Sequence, residues 1–417
     1  MKISAIVFIL LFFGVILAAP SQVLAQSATP LKLQRSQTYN DSFISSIVQT
    51  QDGGFVLAGS NTTVYPPVLS LMKTNRGGEI EWTKTYPEIE SMKWIIQSID
   101  SGYLLASQGS TCWFIKTDFQ GNLEWCRKIN DLLSVSGFTA TDDGNYVILE
   151  GIYVSTHHTT SVFKYDVAGD LLWEKTFYEI SAGAILQSND SKGYYVVGCQ
   201  GMSFWFTKLD AYGEVVWNHT YDYGLEETNL VVCSIIQTQD GGFLFGGFDD
   251  ENNWLVRTDG SGEELWHQRY DNHIISNNRQ YYYLIRDIVQ DRNGQYLLLS
   301  VSGIVAIDEL GNKLWAFSYS EYVSDLRNPA NTVVLGVLDV RGFDDDLVVV
   351  VSYLRTATYP DSTDNHYGLW MANFILEPMD STDNGWFGVE LLVGIAVIVV
   401  VTAFVGFLVY FKGHRHL

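Results

Sequence analysis

Six copies of one signature, Asp/Asn-x-x-Gly-x-x-x-Trp, constrain this chain more than any other feature. They are Asn75/Gly78/Trp82, Asp118/Gly121/Trp125, Asp166/Gly169/Trp173, Asp210/Gly213/Trp217, Asp259/Gly262/Trp266 and Asp308/Gly311/Trp315. Successive tryptophans are 43, 48, 44, 49 and 49 residues apart. Seven times in all, a short apolar run meets a turn built on Asp or Gly. A period of about 45 residues, with about four short strands per unit, specifies a β-propeller, in which each unit buries its apolar face against the next.

The fifth unit shows the design. Residues 234–238 read as a strand, 239–242 as a tight turn, and 243–248 and 254–258 as two further strands. Residues 259–262 turn the chain again, and 263–270 return as the fourth strand. Asp-Gly pairs between apolar runs are strong hairpin signals, because glycine enters positive φ without steric cost. Asp259 is placed to accept nearby backbone N–H groups. Trp266 then sits on the returning strand with a large apolar area to pack on a neighbouring sheet. All six tryptophans are read as structural on this basis.

The seventh unit runs from 337 through 347–353 to 367–376 and stops without the Gly-x-x-x-Trp strand. At the other end, residues 35–39 (Arg-Ser-Gln-Thr-Tyr) match residues 82–86 (Trp-Thr-Lys-Thr-Tyr), with Arg35 in the place of the tryptophan. The predicted fold is all-β: a seven-bladed β-propeller over residues 26–376, its last blade completed by an N-terminal strand. Such closure removes open sheet edges.

The ends carry targeting features. Residues 1–25 read as a secretory signal, with Lys2 ahead of an apolar run and small residues before Gln26. Residues 391–411 form a 21-residue apolar stretch, about 30 Å long as a helix and so sufficient to span a bilayer. Lys412 and Arg415 follow it, while Asp380, Asp383 and Glu390 precede it. The positive-inside rule then places the propeller outside, a stalk at 377–390, and residues 412–417 in the cytoplasm. The predicted location is the cell membrane, single-pass.

The chain carries 25 basic and 47 acidic residues. That balance excludes a nucleic-acid partner, which would need clustered Lys and Arg. Four cysteines suit an oxidising compartment. Four allow three pairings, of which Cys112–Cys126 across one hairpin and Cys199–Cys233 between neighbouring units are favoured, with small unpaired thiols the alternative. Asn40, Asn61, Asn189 and Asn218 each open a glycosylation acceptor pattern.

No catalytic, cofactor or metal residues are predicted. Adjacent His157 and His158 on an extended segment point apart, no His-Glu-x-x-His or Cys-x-x-Cys pattern occurs, and no glycine-rich turn opens a helix bearing Lys-Ser/Thr. Loop lengths supply the useful asymmetry. The short turns all fall on one face of the disc, and the variable segments 60–68, 151–160, 221–230, 270–284, 319–334 and 355–366 fall on the other. Binding residues concentrate on variable loops held by a rigid scaffold. The candidate ligand-face residues are Tyr65, Tyr153, Tyr281, Tyr282, Tyr322 and Tyr359, with the carboxylates Asp249, Asp250 and Asp361. Tyrosines with acids suit protein recognition or sugar stacking.

The tryptophan-bearing strand resembles the docking repeat of PQQ-like propellers, and more loosely the WD40-like propeller repeats of cell-surface proteins. The likeness covers residues 31–376. It departs from the quinoprotein pattern in a shorter Asp–Gly turn, in the number of units, and in having no adjacent cysteine pair to sit over a quinone. The resemblance therefore implies the fold and no cofactor. The expected function is a membrane-anchored extracytoplasmic scaffold or protein-binding module with an envelope protein as partner. Alternatives are a surface-glycan binder and a polysaccharide hydrolase or lyase.

Overall fold

A computed structural model describes residues 31–40, 42–61, 68–89, 94–106, 112–129, 135–154, 157–190, 192–225, 229–276, 279–291, 293–300, 302–319, 332–343, 346–359 and 362–376. Among these residues the regular secondary structure is β-strand. Blade one is an antiparallel meander of Ser42–Gln49, Phe55–Asn61, Val68–Thr74 and Ile80–Tyr86. Five more blades repeat it. They open on Trp94–Gln97, Val135–Ala140, Ile180–Gln187, Val231–Gln237 and Ile285–Gln290, and close on Leu123–Ile129, Leu171–Tyr178, Val215–Tyr221, Glu264–Asp271 and Lys313–Ser318.

The opening strands of successive blades approach one another, so they line the centre of the ring. The tryptophan-bearing fourth strands lie outermost and alternate exposed with half-buried positions. Between them, the second and third strands are covered on both faces and read as near-continuous apolar runs, as in Tyr146–Leu149 and Phe243–Phe245. The core is therefore a series of interfaces between blades. Val56, Leu71 and Tyr86 of blade one pack with Ile95, Tyr103 and Ile115 of blade two, and four similar clusters follow around the ring. Each such side chain contributes about 1.5–3 kcal/mol by leaving water.

A β-bulge recurs on the opening strand. Its register shifts at Ile44/Ser46, Val135/Gly137, Ala182/Ala184, Val232/Ser234 and Ile285/Asp287. One extra residue at the same height bends each inner strand and adds twist near the crowded axis.

Between blade six and blade one lies a sheet in the order Leu31–Asn40, Ser362–Leu376, Asp346–Tyr359, Thr332–Phe343. The N-terminal strand thus pairs with the last strand of the propeller. This sheet is not a further copy of the repeat, and the expected seven-bladed propeller is corrected to six blades joined by a closing sheet of different build. Its strands run 10–15 residues against 4–9 in the six blades, and its Thr332–Phe343 strand shifts register twice. It also lacks the Asp-x-x-Gly turn. As a result the indole Nε1 of Trp315 and the hydroxyl of Tyr319 in blade six are buried with no partner among the described residues. No helix among the described residues is long and apolar enough to cross a membrane, and the stretch 391–411, read as a spanning helix, lies outside them.

Candidate functional site: the two faces of the propeller

In a four-stranded meander the first and third turns share one face of the disc. In the third turn, the leading Asp or Asn accepts the backbone N–H groups two and four residues on. Asp118 Oδ1 takes Gln120 N at 2.9 Å and Asn122 N at 2.8 Å, and Asn75, Asp166, Asp210, Asp259 and Asp308 repeat the pattern. The outer strand of one blade then docks on this turn in the next. Trp173 Nε1 donates to Ala211 O at 3.1 Å and Trp266 Nε1 to Glu309 O at 3.0 Å. Trp82, Trp125 and Trp217 bring their ring edges to the same place. A Cβ built on the next blade's turn glycine would stand 2.8 Å from Trp82 at Gly121, 3.3 Å from Trp125 at Gly169 and 3.1 Å from Trp217 at Gly262.

The six tryptophans read as structural do not share one degree of burial. Trp82, Trp125, Trp173, Trp217 and Trp266 are half-buried, and Trp315 is fully buried. Trp82, Trp125, Trp173, Trp217 and Trp266 each border an apolar cluster shared with the next blade, while the depth of burial differs from the single role that the sequence suggests. An outermost strand has solvent on its far side, so the first five rings lie across the rim of the interface with one part on the apolar cluster and another on the glycine turn. Trp125 borders the cluster of Phe114, Tyr146 and Tyr165, with the Arg127 guanidinium 5.8 Å from its ring centre. Trp217 meets Phe206 edge-on at 4.9 Å and lies 6.0 Å from Tyr195.

Four residues after the tryptophan, the hydroxyls of Tyr86, Tyr221 and Tyr270 donate to the carbonyls of Gly121, Gly262 and Gly311 at 2.6, 2.6 and 2.7 Å. Burial holds these three phenols well above the usual tyrosine range, with nearby carboxylates adding to the shift.

Sequence reading missed a cation beneath the paired turns of the first five blades, buried in four of them and half-buried at Lys208. Lys73, Lys116, Lys164, Lys208 and Arg257 are the ladder partners of Trp82, Trp125, Trp173, Trp217 and Trp266. Lys116, 1% exposed, bonds Asp100 at 2.7 Å, Glu124 at 3.1 Å and the carbonyl of Thr117 at 3.0 Å. Lys73 does the same with Asp52, Glu81 and Thr74 O, Lys164 reaches Asp143, and Arg257 grips Asp240 with two bonds. A Ser or Thr hydroxyl two residues earlier donates to each turn carboxylate, as Thr50 does to Asp52 and Ser98 to Asp100. Burial by itself would raise the carboxyls of Asp52 and Asp143, but these hydrogen bonds and the lysine charge outweigh it and bring both to about 2. The signal was in the sequence: each cation precedes its tryptophan by nine residues. Blade six has Ala306 there, and its turn carboxyl Asp291 is pushed up by burial.

Glutamines at the end of the opening strand tie blades together on the same face. Gln97 accepts from Gln51 N at 3.0 Å, Gln187 from Asp142 N at 3.1 Å, and Gln290 from Gln239 N at 2.9 Å.

The other face departs from the expected loops. Residues 151–160 continue a hairpin, Tyr146–Val154 with His157–Tyr165, in which Tyr153 lies opposite His158. Within 270–284 stands a two-stranded hairpin, His273–Ser276 with Arg279–Tyr282, the second strand carrying Tyr281 and Tyr282. Residues 355–359 and 362–366 extend the closing sheet, with Tyr359 opposite Ser362. Backbone hydrogen bonding, unseen from composition, pairs the described residues of these three segments as antiparallel strands. Tyr65, Tyr322 and Asp361 lie outside the described residues.

Of the expected carboxylates, Asp249 is not available to a ligand. It is 3% exposed and accepts Trp254 Nε1 at 2.7 Å and the N–H groups of Glu251 and Asn252, which closes a tight turn. Asp250 beside it is exposed and faces Asn229 at 3.3 Å. Among the described residues no group of three or more His, Cys, Asp or Glu could hold a metal ion.

Cys126, Cys199 and Cys233 are free thiols, so the expected pairings are corrected. Cys126 stands opposite Ile115 and Cys112 opposite Ile129, three ladder steps apart, or roughly 10 Å along the strands. Cys199 instead donates to Leu230 O at 3.2 Å. The acceptor Asn189 is exposed in the first turn of blade four and Asn218 on its outer strand, while Asn40 and Asn61 end strands.

No protein family and no curated protein matches the sequence. Solved structures do resemble the fold. The WD40 domain of Neurospora crassa Pan2 aligns at 9% identity over 83% of this chain and 97% of its own, with a TM-score of 0.50. The Dos1 propeller aligns at 11% identity over 80% and 78%, with a TM-score of 0.49. A protein of unknown function from Bacteroides caccae aligns at 15% identity over 55% and 82%, with a TM-score of 0.37. The chain is a β-propeller. At these identities the likeness reaches the fold and stops there.

Proposed function

We propose that this chain is a recognition or scaffold module that binds a partner protein without covalent chemistry. One observation carries the reading. The polar groups that the fold brings together are engaged in the scaffold itself: the turn aspartates, the buried cations and Asp249 bond within their own blades, and the glutamines tie neighbouring blades together. What remains is a rigid ring with outward surfaces, the arrangement a display scaffold uses. The resemblance of the repeat to PQQ-like and WD40-like propellers supports the same reading at the level of the fold. Residues 1–25 and 391–411 support a membrane-anchored module with its propeller outside the cell, where an envelope protein is the natural partner.

The test is crosslinking and affinity capture of the full-length protein from its native membrane. A single near-stoichiometric partner, released by substitutions on one face of the disc, supports the scaffold. Recovery of the propeller alone refutes it and brings surface glycans to the front.

A further inference from the structure

Exposed apolar side chains are distributed unevenly over the six blades. Of the fifteen large ones among the described residues, twelve lie in the short turns or on the first two positions of an outer strand next to them. They therefore ring one face of the disc. Phe119, Val167, Tyr212 and Leu310 occupy the two tip positions of the Asp-x-x-Gly turn, and all four are more than half exposed. Leu172 and Leu265 stand just beyond such a turn on the adjoining strand. Turn chemistry asks for Asp and Gly at fixed places and nothing apolar at the tips. Apolar residues recurring there across four blades are therefore not explained by folding, and exposed patches of this kind mark contact surfaces.

Charge on the same face selects the partner. The twelve short turns of the six blades hold 17 Asp or Glu and three Lys or Arg. Several of those carboxylates are neutralised from below by Lys73, Lys116, Lys164 and Arg257, but the tips stay strongly acidic. A second copy of so acidic a chain is repelled, and so is an anionic lipid surface.

We infer that the short-turn face, opposite the variable segments, docks a protein surface on which apolar side chains are interspersed with Lys and Arg. This rests on the scaffold reading and assigns it a face and a partner chemistry. Apolar contact would supply the affinity, and the field of the acidic turns would steer encounter and exclude acidic proteins.

The test uses the full-length protein in detergent and two synthetic peptides of equal charge, one alternating Leu with Lys and one alternating Ser with Lys. Binding is followed by fluorescence anisotropy at physiological salt. The Leu-Lys peptide is expected to bind at least tenfold more tightly than the Ser-Lys peptide. The combined variant Phe119→Ser, Tyr212→Ser, Leu310→Ser should erase that difference while keeping the parent's circular dichroism and melting temperature. Tyr178→Ser, equally exposed but on the other face, should leave the difference intact. Equal binding of both peptides overturns the inference, as does a difference that survives the triple variant. Either result leaves the scaffold reading standing on the capture experiment, because a partner could still be released by substitutions on the opposite face. Binding of zwitterionic vesicles that the triple variant abolishes, with no preference between the peptides, also overturns it in favour of a lipid surface.

Discussion

The docking of each tryptophan on the next blade's glycine turn can be measured with two matched glycines. Gly213 and Gly241 have nearly the same backbone, at φ +83° and +85°. An alanine at either position is forced into the left-handed region, at about 1–2 kcal/mol. Their surroundings differ. A Cβ on Gly241 meets nothing within 4 Å, whereas one on Gly213 falls 2.8 Å from Cε3 and Cζ3 of Trp173. Carbon atoms settle at about 3.5–4.0 Å, so the indole must retreat by roughly 0.7 Å or more. It is not free to do so, because its Nε1 is held by Ala211 O at 3.1 Å. Overpacking of this kind adds about 1–3 kcal/mol. Gly213→Ala should therefore destabilise by about 2–5 kcal/mol and Gly241→Ala by about 1–2 kcal/mol, read from urea midpoints at unchanged slope. In a Trp173→Ala background the excess at Gly213 should vanish, since the clashing ring is gone. If Gly213→Ala costs no more than Gly241→Ala, the turn glycines serve the turn alone and the account of blade docking is wrong.

Other consequences are open to simpler measurements. Lys116→Met should cost about 1–3 kcal/mol in a urea titration, because a buried donor is lost while the half-exposed carboxylates of Asp100 and Glu124 can return to water. Lys175→Met, which breaks a solvent-facing pair with Glu214, should stay under about 1 kcal/mol. Acid should weaken the short-turn face. The Asp52 and Asp143 carboxyls titrate near 2 when folded and at about 3.9 when unfolded. Their contribution is thus complete above pH of about 4 and is lost as pH falls toward 2. An Asp52→Asn, Asp143→Asn variant should flatten that part of the stability profile. Burial pushes the Cys199 thiol to about 12, and burial outweighs a nearby arginine to push Cys233 to about 11. Iodoacetamide at pH 8 should leave both unlabelled in the native protein and label both in urea, as judged by mass spectrometry. Removal of residues 31–40 should leave the Ser362–Leu376 strand with an unpaired edge, giving dimers or larger species by light scattering. A peptide of those ten residues, added in trans, should restore the monomer.

Much of the fold was legible because its demands are local. An Asp-x-x-Gly turn satisfies its own backbone within five residues, so its spacing to the tryptophan announces a strand, a turn and a returning strand. The match between residues 35–39 and the outer strands likewise pointed to pairing across the two ends of the chain. The closing sheet shows where that reasoning stops. Apolar runs at 332–376 look like one more unit, yet they form strands of twice the usual length, and Trp315 has no glycine turn beyond it to receive its indole.

The face chemistry was less legible, since it depends on partners far along the chain. The glutamine bonds between blades join residues 45 to 51 positions apart. The turn carboxylates Asp52 and Asp143 meet their lysines 21 positions on. Asp249 reads as a ligand-face acid until the fold closes a turn around its carboxylate. The spacing that announces Trp125, Trp217 and Trp315 is the same, yet the first two stay half-buried and the third is enclosed. By itself the sequence determined the repeat, its turns and the order of its strands, because each is enforced by backbone conformation over a few residues. Only the tertiary structure decided which blades are equivalent, which charges are buried and which apolar residues stay exposed, because burial belongs to the interface between blades and not to any one of them.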